Sequence, residues 1–134
     1  MEYKNSMGFG DSMEELNSLD LFQCLEHATI QIKFWHHQTT FYSEHMALGT
    51  FYEGISDLSD NLVEVYMGAH QRTNGEFGLR FKPYSEGCSM KYMEGFCKKI
   101  MGYYEQIEES FIKNLLDEVM ALTAKTKYLL TLKH

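Results

Sequence analysis

A chain of 134 residues, 44% hydrophobic and holding nine Tyr, nine Phe and nine Met against one Pro and ten Gly, is enough for one domain with a packed core. Its formal charge of −7, from 19 acidic and 12 basic residues, opposes binding to a phosphate backbone, and no apolar run approaches the roughly 20 residues of a membrane helix. Cys24, Cys88 and Cys97 make an odd number with no CxxC pair, and no basic-then-apolar leader opens the chain, so the expected setting is a reducing cytoplasm with thiols that serve packing.

The first 17 residues hold Gly8, Gly10 and two serines without sustained apolar period, which predicts a flexible or loosely docked arm ahead of a domain over 18–134. With Lys4 against Glu2, Asp11, Glu14 and Glu15, this arm lacks the basic character of a DNA-binding extension. Ser18 is a candidate cap for a first helix to about His37, in which Leu21, Leu25, Ala28, Ile32 and Trp35 form one stripe. Ser43 is placed to cap a second helix to about Ala69, roughly 40 Å long at 1.5 Å per residue. Leu48, Phe51, Ile55, Leu58, Leu62, Val65 and Ala69 give it the strongest apolar period in the chain. The short link between these helices predicts antiparallel neighbours.

Asn74-Gly75, Gly78, Pro83 and Gly87 interrupt regular structure over 70–87. Extended at about 3.3 Å per residue, that segment reaches roughly 55 Å, enough to return along the whole second helix. A third helix is predicted over 88–101, with Gly102 positioned to end it. The fourth opens on Glu105, Glu108 and Glu109 and closes on Lys125, Lys127 and Lys133, a charge order that suits the helix dipole. Its expected stripe is Ile107, Phe111, Leu115, Val119, Leu122 and Leu129. The fold class is therefore all-α, a four-helix bundle with one long crossover between the second and third helices.

The chemically dense stretch is Phe34 to Glu64, with His36, His37 and His45 followed by Glu53, Asp57, Asp60 and Glu64. Imidazoles with carboxylates suit ferrous iron, manganese or zinc. The four acids recur on one helical face opposite the apolar stripe, and a solvated face is the plainer explanation of such a run. Gly49, Ser56 and Val63 form a strip small enough to let another helix approach, which suggests a subunit contact. His45 precedes Asp60 by 15 residues, roughly 22 Å along a helix, so these groups cannot share an ion within one chain. A site that used both would cross a two-fold interface.

The stretch Trp35 to Glu64 resembles the core of the Dps branch of the ferritin-like superfamily. That branch ends its first helix on His-Trp, opens the second with His-x-x-apolar-Asp-x-x-Tyr and continues to Asp-x-x-x-Glu. Here His36-His37 holds the first place, His45, Leu48, Gly49 and Tyr52 the second, and Asp60 with Glu64 the third. The chain also resembles short Dps-like proteins of tailed bacteriophages through EHMALGTFY at Glu44 to Tyr52 and TKYLLTLK at Thr126 to Lys133.

The resemblance implies a ferritin-like bundle and an inter-subunit ferroxidase site that oxidises ferrous iron, to store or detoxify it. His36 and His45 of one chain would meet Asp60 and Glu64 of another, within two-fold dimers of a dodecameric shell. Gly49 stands where the family has aspartate, and Glu53, one turn on, is the candidate replacement carboxylate. The link between the first two helices is shorter than the family's, and the basic arm is missing. The alternative is a non-catalytic helical assembly or binding protein, phage-encoded, that keeps the fold without the chemistry.

Overall fold

In the computed structural model, which describes residues 17–133, the chain forms α1 (Ser18–Gln38), α2 (Tyr42–Ala69), α3 (Cys88–Gln106) and α4 (Ser110–Leu129). Residues 1–16 of the expected arm lie outside the described residues. The α1 stripe of Leu21, Leu25, Ala28, Ile32 and Trp35 is buried throughout, joined by Phe22 and Gln31. Asn17, rather than Ser18, caps this helix by accepting the N–H groups of Leu19 and Asp20. Both residue types cap well, and a tertiary bond decides between them: the Ser18 hydroxyl is engaged by Thr73 at 2.7 Å.

α2 begins at Tyr42 without a side-chain cap, because the Ser43 hydroxyl donates to the Leu132 carbonyl instead. Its buried stripe is Leu48, Phe51, Ile55, Ser59, Leu62 and Tyr66, so the expected positions Leu58 and Val65 are half-buried and Ala69 is exposed. An α-helix keeps its inner face at 3.6 residues per turn, and a stripe read at 3.5 drifts off it. Gly102 does not end α3, which continues to Gln106 while Tyr103 and Tyr104 pack against the core. Glu105 therefore sits in the last turn of α3, and Glu108 and Glu109 belong to the link. The stop is Ile107, which leaves helical geometry and plugs the core at 3% exposure.

The phase of α4 is also shifted from expectation, to Ile112, Leu116, Val119, Thr123 and Thr126, leaving Phe111 52% exposed. Thr123 and Thr126 donate to the carbonyls of Val119 and Leu122, both at 2.8 Å, which satisfies the hydroxyls and lets two polar residues serve as core. Each helix packs against two others in the cyclic order α1, α2, α4, α3.

The crossover fixes the direction of α3. It runs back along α1 as an extended strip held by side chains of that helix. Gln23 accepts from the Gly78 N–H, His27 bonds the Arg80 carbonyl, Gln31 bonds both main-chain groups of Lys82, and Gln38 accepts from the Tyr84 N–H. The Trp35 indole adds a second bond to the Lys82 carbonyl at 2.9 Å. The repeat has a simple cause: four helical residues rise about 6 Å and two extended residues about 6.6 Å. The crossover thus climbs one rung for each helical turn, and α3 starts at the end of the bundle where α1 finishes. α2 and α3 run one way, α1 and α4 the other, and every adjacent pair is antiparallel. No helix among the described residues is long and apolar enough to cross a membrane.

Candidate functional site

The link Thr39–Phe41 is just long enough to reverse the chain, and it sets His36, in the last turn of α1, against His45, in the first turn of α2. Their rings stack with centroids 3.8 Å apart and planes 15° from parallel. Nδ1 of His36 lies 2.6 Å from the His45 carbonyl, and Nδ1 of His45 lies 2.8 Å from the His36 carbonyl. A carbonyl only accepts, so both Nδ1 atoms carry hydrogen. In the neutral rings the Nε2 atoms keep their lone pairs, the state a metal requires.

Gly49, one turn after His45, provides the room. A Cβ there would stand 2.9 Å from His36 Cε1 and 3.2 Å from its Nδ1. Within the chain, the close approach that this small residue allows is made by the His36 ring. Tyr52 and His37 flank the His36 ring at 5.2 and 5.1 Å between centroids, and Lys33 Nζ sits 5.9 Å above the Tyr52 ring.

Burial holds the His36 pKa below its ordinary value; the bond to the His45 carbonyl pulls it upward, charge on His45 or His37 opposes protonation, and the Glu53 carboxylate favours it. With the folded value depressed, the unfolded chain binds more protons in the interval just below the ordinary histidine pKa. The stabilisation is complete above about pH 6.5 and is lost as pH falls through the folded value. The denaturation midpoint should therefore drop on acidification from about pH 7 to about pH 5, and a His36→Gln variant should lose most of that slope. An unchanged slope in the variant would assign the effect to other groups.

Asp57, Asp60 and Glu64 are exposed on α2 and bond to none of the described residues. Asp57 and Asp60 line a groove shared with Glu26 and Ser59. The structure brings His36 and His45 together and sets Glu53 within electrostatic reach, but leaves Asp60 and Glu64 at the far end of the same helix. Among the described residues no group of three His, Cys, Asp or Glu side chains is arranged to hold a metal ion.

Two polar clusters were not expected from sequence. Glu44 accepts three hydroxyls, from Thr39 at 2.7 Å and from Tyr84 and Ser89 at 2.6 Å each, locking the α1–α2 link to the end of the crossover and the start of α3. Burial first, then the bond to Glu44, pushes the Tyr84 phenol up. His27 is tied at both nitrogens, to Tyr92 and to the Arg80 carbonyl, and is stacked on Phe81 and Tyr92, so it is a packing residue. The three cysteines are free and half-buried; burial pushes the Cys24 thiol up to about 11, which makes it a poor nucleophile.

A family model matches residues 36–130, more than two-thirds of the chain. The chain belongs to DUF5856, a family of unknown function. No curated protein and no solved structure matches it. The part that defines DUF5856 here begins at His36 itself and includes His45, Gly49, Glu53, Asp60 and Glu64. It takes in the crossover and leaves out most of α1, with His27, Gln31 and Trp35.

Proposed function

We propose that this DUF5856 protein is a ferritin-like, Dps-like oligomer that binds ferrous iron between two-fold related subunits and promotes its oxidation. The reading rests on one observation above others: two imidazoles are held with their Nε2 atoms free of bonds to the described residues at one end of the α1–α2 pair, while Asp60 and Glu64 stand without a bond to the described residues at the other. An antiparallel partner would set these ends against each other. The one long crossover of the fold belongs equally to ferritin-like connectivity.

The donor set fits the substrate. Imidazole nitrogen suits ferrous iron, and carboxylates favour the ferric product. Iron is the substrate here and gives its electron to dioxygen or peroxide from solution. His36 and His45 would orient the ion, their rings held by the reciprocal Nδ1 bonds, and Asp60 and Glu64 of a second copy would supply the charge that ferric iron needs. Glu53 lies near enough to His36 to assist. Manganese or zinc would suit the same donors without the redox step.

A second reading is favoured by the clamp itself. Each histidine is fully explained as a staple between the ends of α1 and α2, which is what a non-catalytic assembly protein would need. The carboxylates discriminate, because they bond to none of the described residues. The variant Asp60→Asn/Glu64→Gln should fold and assemble as wild type and lose at least about tenfold in anaerobic ferrous loading and peroxide-driven oxidation, the expected cost of removing charged ligands. Light scattering and elemental analysis of one chromatographic peak measure both quantities. An iron-free wild-type peak would leave the assembly reading in possession.

A further inference from the structure

A cleft of about 480 Å³ lies between the crossover and the first turns of α3, bordered by Trp35, Arg80, Lys82, Glu86, Lys91 and Tyr92. Three cations against one carboxylate line it, in a chain whose formal charge is −7. Among the described residues none of the three is ion-paired with a carboxylate. Three of the 12 basic residues thus border one concavity, and a concave low-dielectric wall focuses the field of those charges on whatever enters.

The cations are also well mounted. The main chain at Arg80 is held by His27, and at Lys82 by Gln31 and Trp35, so these alternate residues project from a fixed strip, with Lys91 on the opposing helix. Arg80 offers the planar fork that matches phosphate oxygens in pairs, and the two lysines supply point charges. Tyr92 and Pro83 line the same cleft and give it an apolar side. Its volume lies within the range of small-molecule sites and exceeds what a bare phosphate ion fills. From the placement of Arg80, Lys82 and Lys91 around this cleft we infer a binding site for a small phosphomonoester, its phosphate on the three cations and its organic portion against Tyr92 and Pro83. The site is separate from the His36–His45 pair and does not depend on the iron reading.

Trp35 is the single tryptophan of the chain and lines the cleft, so its fluorescence reports on occupancy. The full chain is titrated with ribose 5-phosphate, inorganic phosphate, and ribose with sodium chloride at matched ionic strength. The expected result is a saturable change with both phosphates, tighter for the sugar phosphate, and none with ribose and salt. Lys82→Gln/Lys91→Gln should weaken binding at least about tenfold, by loss of two charge-assisted contacts. Lys82 meets α1 through its main chain alone, so this variant keeps the ladder. Lys113→Gln, whose ammonium lies over Tyr104, should bind as wild type. A response no greater than that to matched salt, or equal weakening by the Lys113 variant, overturns the proposal.

Discussion

Gly49→Ala should lower stability by about 1–2 kcal/mol, although glycine to alanine inside a helix ordinarily raises it by about 1 kcal/mol. The new Cβ would stand 2.9 Å from His36 Cε1, and the ring cannot simply swing aside. Its Nδ1–H is bonded to the His45 carbonyl at 2.6 Å, and its face lies 3.8 Å from the His45 ring. Moving it breaks one half-buried hydrogen bond, disturbs the reciprocal one and loosens the stack, a loss of about 2–3 kcal/mol set against the helical gain. The sign is therefore conditional on His36. In a His36→Ala background the obstruction is gone, and Gly49→Ala should stabilise by up to about 1 kcal/mol. Urea midpoints of the four proteins complete the cycle. If Gly49→Ala stabilises both backgrounds alike, the His36 ring is not where the structure has it. Gly49→Asp, the residue of the Dps pattern, should be worse than alanine, because its carboxylate would need the volume the imidazole occupies.

That cycle also shows why the site was only half legible in sequence. The spacing of His36, His45, Asp60 and Glu64 was enough to exclude one shared ion in one chain, since helical rise is independent of tertiary detail. Gly49 departs from a ligand pattern and belongs to a strip of small residues, but its fit to the His36 ring depends on where the end of α1 lies, which no pattern within α2 reveals. Glu44 carried no signal at all. It is an ordinary acid in the first turn of a helix, and its three hydroxyl donors come from the α1–α2 link, the crossover and α3.

The number of helices and the position of the crossover were legible because α1 and α2 have long apolar stripes and Gly and Pro concentrate in 70–87. The errors have a common source. Apolar residues alone set the expected helix phase, and a stripe built that way leaves out Ser59, Thr123 and Thr126, which are buried. Two of them are threonines whose hydroxyls are satisfied within their own helix, which removes most of the cost of burial. Gly102 suits a stop, yet an interior glycine costs a helix only about 1 kcal/mol, and the burial of Ile107 beyond it is worth more.

The direction of α3 rests on the ladder between α1 and the crossover, and Gln31 is its buried rung at 1% exposure. Gln31→Leu keeps most of the volume and removes two bonds: the one its Nε2 gives to the Lys82 carbonyl at 3.0 Å and the one its Oε1 takes from the Lys82 N–H at 2.8 Å. The carbonyl retains the Trp35 indole, but the N–H is left without a partner. An unsatisfied donor of this kind costs about 1–3 kcal/mol, so the expected loss is about 2–3 kcal/mol, with a faster-exchanging Lys82 amide. Gln23→Ala and Gln38→Ala, at solvent-exposed rungs, should each cost under about 1 kcal/mol, because water replaces the lost bond. A graded result would mean that the rungs act one by one. If Gln31→Leu instead accelerates exchange at Gly78 and Tyr84 together with Lys82, the strip opens as a unit, and the buried amide is what keeps α3 running parallel to α2.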